Sequence, residues 1–221
     1  MKRNQSGFTL IEIAIVLVII GLLLGGVLKG QELINSAKVK NLAADFKNIP
    51  VFIYGYQDKF RALPGDDAAA ASHVAGTNAT TPGTVNNGVI DGRWLPATPA
   101  SDESSLFWQH VRLAGLAAGS TNPADSEYQP RNSLGGHLGI QAGSTASIQN
   151  LRGSYTICSE NILGKFARQI DTNLDDGNTT TGSVMATAST GLVMQGAASS
   201  VAANSILPAD DEALYTVCMG F

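Results

Sequence analysis

Charge is scarce in this chain. Only 14% of its 221 residues are Asp, Glu, Lys or Arg, well under the usual quarter. Fourteen basic against 18 acidic side chains leave a net charge of −4. No basic surface is therefore available to follow a phosphate backbone, and nucleic acid is not expected as the main partner. Cysteine is scarcer still. Two thiols cannot build a four-thiolate zinc site or a disulfide-dense scaffold. The three histidines, His73, His110 and His137, lie far apart without metal-ligand spacing. No G-x-S-x-G, P-loop or H-E-x-x-H pattern occurs, and Ser and His without geometry make no triad, so an enzyme is not expected. What the chain does have is apolar surface, with 44% hydrophobic residues. That excludes a disordered polymer.

The apolar residues are concentrated at the N-terminus. Lys2 and Arg3 are the only charges before Gly7, and Glu12 is the only charge among the 21 residues from Phe8 to Leu28. As a helix that run spans about 30 Å, the thickness of a hydrocarbon core. The basic end stays cytoplasmic, which predicts a single pass with the C-terminal bulk across the membrane. A carboxylate inside such a helix costs roughly 2.5–3.5 kcal/mol near the membrane centre and less near the interface. No A-x-A cleavage pattern follows the run, since Lys29-Gly30-Gln31-Glu32 comes next. The small residue, Gly7, precedes it. This is not the layout of a secretory signal peptide.

Gly7-Phe8-Thr9-Leu10-Ile11-Glu12, behind a short basic leader and ahead of a long apolar helix, resembles the class III signal of type IV prepilins and pseudopilins. The resemblance implies that a prepilin peptidase cuts between Gly7 and Phe8 and that Phe8 becomes N-methylated. It also gives Glu12 a role. Cleavage creates a cationic amine at Phe8, and subunits packed side by side pair each Glu12 with a neighbour's amine, which sets their vertical register. The other reading of Glu12 is a carboxylate that snorkels to the interface. Gly21, Gly25, Gly26 and Gly30 either allow close helix packing or are simply tolerated.

Beyond the membrane the pattern becomes amphipathic. Val39, Leu42, Phe46, Ile49, Ile53, Tyr56 and Phe60 follow alternating gaps of three and four, one apolar stripe on a helix. Pro50 is expected to bend that helix, and Leu63-Pro64-Gly65 to end it. The stripe is read as the seam against a head domain rather than as a coiled coil. Residues 64–100 read as a loop-rich connector, with turns at Asn86-Asn87-Gly88 and Asp91-Gly92. A short helix is predicted from a Ser101 cap to Gly119, with Leu106, Phe107, His110, Leu113 and Leu116 inward. A second is predicted from Glu160 to Asp171. Ser154–Cys158 and Leu214–Cys218 are β-prone and read as paired antiparallel neighbours. Residues 177–209 read as weak strands and loops, with apolar clusters at Val184-Met185 and Leu192-Val193-Met194. The expected fold is α+β and pilin-like: a long N-terminal helix, membrane anchor plus amphipathic stalk, packed on a small antiparallel-sheet head with short helices. Its divisions are a cleaved leader at 1–7, a transmembrane and assembly helix at 8–28, a stalk at 29–62 and a head at 63–221.

Two further features bear on chemistry. Cys158 and Cys218 can form a disulfide if the head lies outside the cytoplasm, or remain two buried thiols. Asp171, Asn173 and Asp175 repeat oxygen ligands at alternate positions, the opening spacing of a calcium loop. The glycine comes one residue late, however, and Gly182 stands where glutamate is required. An Asp/Asn-rich turn is the alternative. No other cofactor is expected. The function the resemblance implies is a structural subunit of a type IV pilus-like or type II secretion pseudopilus filament, with a lean to a minor or specialised pilin. Its partners would be prepilin peptidase, identical or related subunits, and an assembly ATPase with its inner-membrane platform. Its place would be the inner membrane, N-terminus cytoplasmic and head periplasmic, or an assembled filament. The rival is a membrane-tethered binding module or enzyme that does not polymerise.

Overall fold

The computed structural model describes residues 9–80, 84–95, 101–189 and 200–221. The chain divides into two units, Met1–Lys38 and Val39–Phe221. Helix α1 (Leu10–Phe60) supplies residues to both. In the first unit its side chains from Leu10 to Leu28 are all exposed. By length and composition this stretch is apolar enough to cross a membrane.

In the second unit the stripe behaves as its spacing dictates. Val39, Leu42, Phe46, Ile49, Ile53 and Tyr56 are buried, and Phe60 is half-buried. The helix runs on through Pro50. It stops where Arg61 adopts a left-handed conformation (φ 56°), just ahead of Pro64, which disfavours helix at the residue before it.

Among its described residues the connector holds one short helix, α2 (Ala70–His73). Helix α3 (Glu103–Leu113) follows, then strand β1 (Leu138–Ala142), strand β2 (Tyr155–Leu163) and helix α4 (Gly164–Leu174). Strands β3 (Val184–Ala188) and β4 (Leu214–Gly220) complete the head. The sheet order is β1-β2-β4-β3, and every neighbour is antiparallel.

Alternation along the strands splits the core in two. Ile140, Ile157, Val184, Ala186 and Val217 join the α1 stripe, Phe107, Val111, Phe166 and Ile170 in the main cluster. Cys158, Met185 and Cys218 turn the other way and pack with Trp94, Ile148 and Leu151. Each outer strand is bonded from outside the sheet. The Leu138 N–H of β1 donates to the Pro130 carbonyl (2.9 Å), and the Asn204 N–H donates to the Ala186 carbonyl (2.8 Å) of β3. Such bonds occupy part of the template for strand addition.

Several expectations need correcting. The residue at the N-cap of α3 is Asp102, not Ser101, and the helix ends at Leu113 rather than Gly119. Gly115 (φ 78°) supplies the left-handed stop. Leu113 is consequently exposed rather than inward. The predicted helix from Glu160 starts only at Gly164, because Glu160–Leu163 belong to β2. A bulge between Ser159 and Ile162, with Asn161 left-handed (φ 58°), turns Ile162 into the core from a strand. Of the apolar clusters in 177–209, Val184-Met185 opens β3, while Leu192-Val193-Met194 lie outside the described residues.

Candidate functional site

Gly7 and Phe8, the predicted processing pair, lie outside the described residues. Glu12 is described, and it already has work to do within the chain. Thr9 precedes the first helical residue. Its N–H and its hydroxyl both donate to Glu12 Oε2 (2.8 and 2.7 Å), and the Glu12 N–H reaches back to Thr9 Oγ1 (3.4 Å). This is a capping box, Thr-x-x-Glu, which satisfies two orphan donors at the helix start. The sequence carries the signature openly at Thr9-Leu10-Ile11-Glu12. Thr9, which that carboxylate bonds, is the residue after Phe8 in the sequence, where the expected cleavage would place a new amine.

Cys158 and Cys218 form the disulfide. They face one another in the β2–β4 register, with Cα atoms 4.1 Å apart, and both are fully buried. Register makes the pairing: the two strands run antiparallel with matching positions opposed.

Asp171, Asn173 and Asp175 do not converge. Asp171 and Asn173 lie two positions apart on α4, which places them on nearly opposite sides of the helix. Asp171 is buried and Asn173 exposed. Burial pushes the Asp171 carboxyl up to about 6, against the N–H groups of Gly177 and Asn178. Asp175 Oδ2 instead accepts the Ser183 and Val184 N–H groups (2.9 Å for Val184) and pins the start of β3. Among the described residues no three His, Cys, Asp or Glu side chains are grouped to hold a metal.

The structure also assembles polar groups that the sequence left scattered. Asp67, almost fully buried, accepts the Tyr56 hydroxyl (2.7 Å), the His73 Nδ1 proton (2.7 Å) and the Ala69 N–H (2.8 Å). Burial raises its pKa, but the bonds from His73, Tyr56 and Ala69 outweigh that and hold it below the ordinary value. His110 Nδ1 accepts the Gly65 N–H (2.9 Å) and Nε2 bonds the Thr77 carbonyl (2.8 Å). The ring is therefore the neutral Nε2–H tautomer, and burial lowers its pKa. Glu103 is fully buried. Its Oε2 accepts the Asp91 N–H (2.7 Å), while Oε1 has no partner. Burial, with the Asp66 and Asp91 carboxylates beside it, pushes this carboxyl up to about 8. Sequence reasoning placed His110 on a core face, as found; the clustering of Asp66, Asp91 and Glu103 carries no sequence signature.

Residues 2–28 match the family described as the prokaryotic N-terminal methylation motif. The match spans the basic leader, Gly7, Phe8, Glu12 and the apolar run. It supports a class III signal of the type IV prepilin and pseudopilin kind. The fold, a long N-terminal apolar helix and a four-stranded antiparallel sheet with short helices, is likewise pilin-like. No curated protein matches the chain.

Proposed function

We propose that the chain is a structural subunit of a type IV pilus-like or type II secretion pseudopilus filament, with a lean to a minor or specialised pilin. It is made as a prepilin and cut by prepilin peptidase between Gly7 and Phe8. It is held in the inner membrane with its head periplasmic, and polymerised through its N-terminal helix by an ATPase and platform. Its role is mechanical rather than catalytic. The observation that supports this most is the methylation motif over residues 2–28, whose described stretch from Leu10 to Leu28 is helical with every side chain exposed. Such a surface requires lipid or other helices around it.

Intact mass of the protein from its native membrane tests the processing step. Loss of residues 1–7 with one added methyl is expected. An uncut N-terminus would refute it. Glu12→Gln tests the assembly step separately, because glutamine keeps the capping bond to Thr9 but carries no charge. Insertion should persist and filament recovery should fall at least tenfold. Wild-type filament recovery in Glu12→Gln would refute charge pairing as the source of register.

A further inference from the structure

The loop between α4 and β3 carries a chemical grouping that the proposed assembly role does not use. It reads Asp176-Gly177-Asn178-Thr179-Thr180, and Asn178-Thr179-Thr180 is an Asn-x-Thr acceptor triplet for N-linked sugar. A second triplet, Asn78-Ala79-Thr80, lies in the connector. The triplet alone has little weight in a chain rich in Ser and Thr. The surroundings of the two asparagines tell them apart.

At Asn178 the side chains are disposed for the chemistry. Gly177 is left-handed (φ 84°), which turns the chain sharply after Asp176. Asp176, Gly177 and Asn178 are exposed, whereas Thr179 is buried and its hydroxyl donates to the Asn204 carbonyl (2.8 Å). The loop is thus anchored at Thr179 and presents Asn178 to solvent. Asn178 Oδ1 accepts the Thr180 N–H (3.2 Å) and the Thr180 hydroxyl (2.8 Å), while Nδ2 bonds nothing among the described residues. An amide nitrogen is a poor nucleophile because its lone pair is shared with the carbonyl. Two donors on Oδ1 stabilise the negative charge that gathers there as an Nδ2 proton leaves. Asp176 Oδ1 accepts the Asn178 N–H (2.8 Å) and Oδ2 the Thr181 hydroxyl (2.9 Å). Those bonds hold an exposed carboxylate two residues before the acceptor, where a basic group of a transferase can grip it. Asn78 differs. Its Oδ1 accepts the Ala71 N–H (2.9 Å), tying the amide to α2, and the residue two before it is Gly76.

We infer that Asn178 is a site of N-glycosylation, with a sugar activated on a lipid pyrophosphate as donor and a membrane transferase acting outside the cytoplasm as enzyme. The inference rests on the periplasmic head of the function proposed above. In the transfer the bond from Nδ2 to the anomeric carbon forms, and the bond from that carbon to the pyrophosphate oxygen breaks. The carrier leaves with the electron pair, and the Nδ2 proton passes to a base of the transferase. A sugar at this place hydrates a stretch that has little means of its own, since residues 177–209 contain no Asp, Glu, Lys or Arg.

The test is mass spectrometry of the full chain recovered from its native membrane. No Lys or Arg follows Arg168, so trypsin after reduction leaves residues 169–221 as one peptide. That peptide should be heavier than its sequence by a whole number of sugar residues and should release sugar fragment ions on collision. Asn178→Gln should remove the whole excess. Thr180→Ala should remove it as well, while Thr180→Ser, which keeps the hydroxyl, should retain it. A native 169–221 peptide of unmodified mass would overturn the inference. So would an excess that survives Asn178→Gln, which would place the sugar on a hydroxyl instead. The N-terminal peptide of the same sample reports loss of residues 1–7. An unmodified head on a cut chain therefore fails this inference alone, and an uncut chain refutes the processing reading separately.

Discussion

Reduction of the Cys158–Cys218 bond should cost the head a calculable amount of stability. The two cysteines are separated by 60 positions. On the chain-entropy model, closing a loop of that length removes roughly 14 cal/mol/K from the unfolded ensemble, or about 4 kcal/mol at 25 °C. The native state gives little of this back when the bond opens. Thr156↔Gly220, Ile157↔Met219 and Ser159↔Val217 hold β2 to β4 around the cystine, so the strands stay in register without it. The effect should therefore act on the unfolded chain, leaving the native spectrum unchanged. For a domain of this size, 4 kcal/mol corresponds to a fall in Tm of about 8–16 °C. The assay is urea unfolding of oxidised and reduced wild type, with Cys158→Ala/Cys218→Ala as the control that should not respond to reductant. A difference between oxidised and reduced wild type below about 1 kcal/mol would refute the loop-closure reasoning. A change in native near-ultraviolet dichroism on reduction would show instead that the bond shapes the folded state.

The neutral His110 ring gives the head an acid-side weakness. Its folded pKa lies below the ordinary 6.5, so the unfolded chain takes a proton that the folded ring refuses. Its contribution is complete above pH 6.5 and is lost as pH falls, by up to about 1.4 kcal/mol per pH unit. The stability gap between wild type and His110→Gln should narrow from pH 7 to pH 5, and a constant gap would refute the assignment. Gly139→Ala should destabilise the head by about 1–3 kcal/mol, because a Cβ there would overlap the Trp94 carbonyl. Gly115→Ala meets no neighbour and carries only the left-handed penalty of about 1–2 kcal/mol. Equilibrium unfolding of the two variants checks the order.

The parts of this fold that could be read in sequence are those whose pattern is local. The α1 stripe repeats every three or four residues, and burial follows it from Val39 to Tyr56. The β2 and β4 segments share β-prone composition and end in cysteines, and their register brings those cysteines face to face. Strand β1 was not legible. Leu138-Gly139-Ile140-Gln141-Ala142 has little β propensity, and it becomes a strand because β2 offers an edge and Gly139 lets the Trp94 backbone approach. The β2-to-α4 boundary misled for a related reason. Ile162, Phe166 and Ile170 keep a four-residue spacing, yet the first of them reaches the core from a bulged strand. The acid cluster was hidden because its members lie on three segments that only the folded connector brings together. At the N-terminus the opposite holds, since Thr9-x-x-Glu12 is a complete local signature of a cap.

That cap changes how the cost of Glu12 is best understood. A lone carboxylate in an apolar helix would need a partner from the moment of insertion. Here the Thr9 N–H and hydroxyl already donate to it, so a solitary subunit does not present a naked charge. The helix start also favours a negative group by its own dipole. In the filament proposed above, a neighbour's amine would have to compete with bonds that exist, and the net gain from pairing would be the difference between two satisfied states. Such a difference is smaller than the Coulomb attraction of a bare pair. It is large only where the two charges meet away from water and in the right vertical register. Weak pairing out of register and firm pairing in register is the behaviour a subunit needs if it is to wait in a membrane and add to a filament one step at a time.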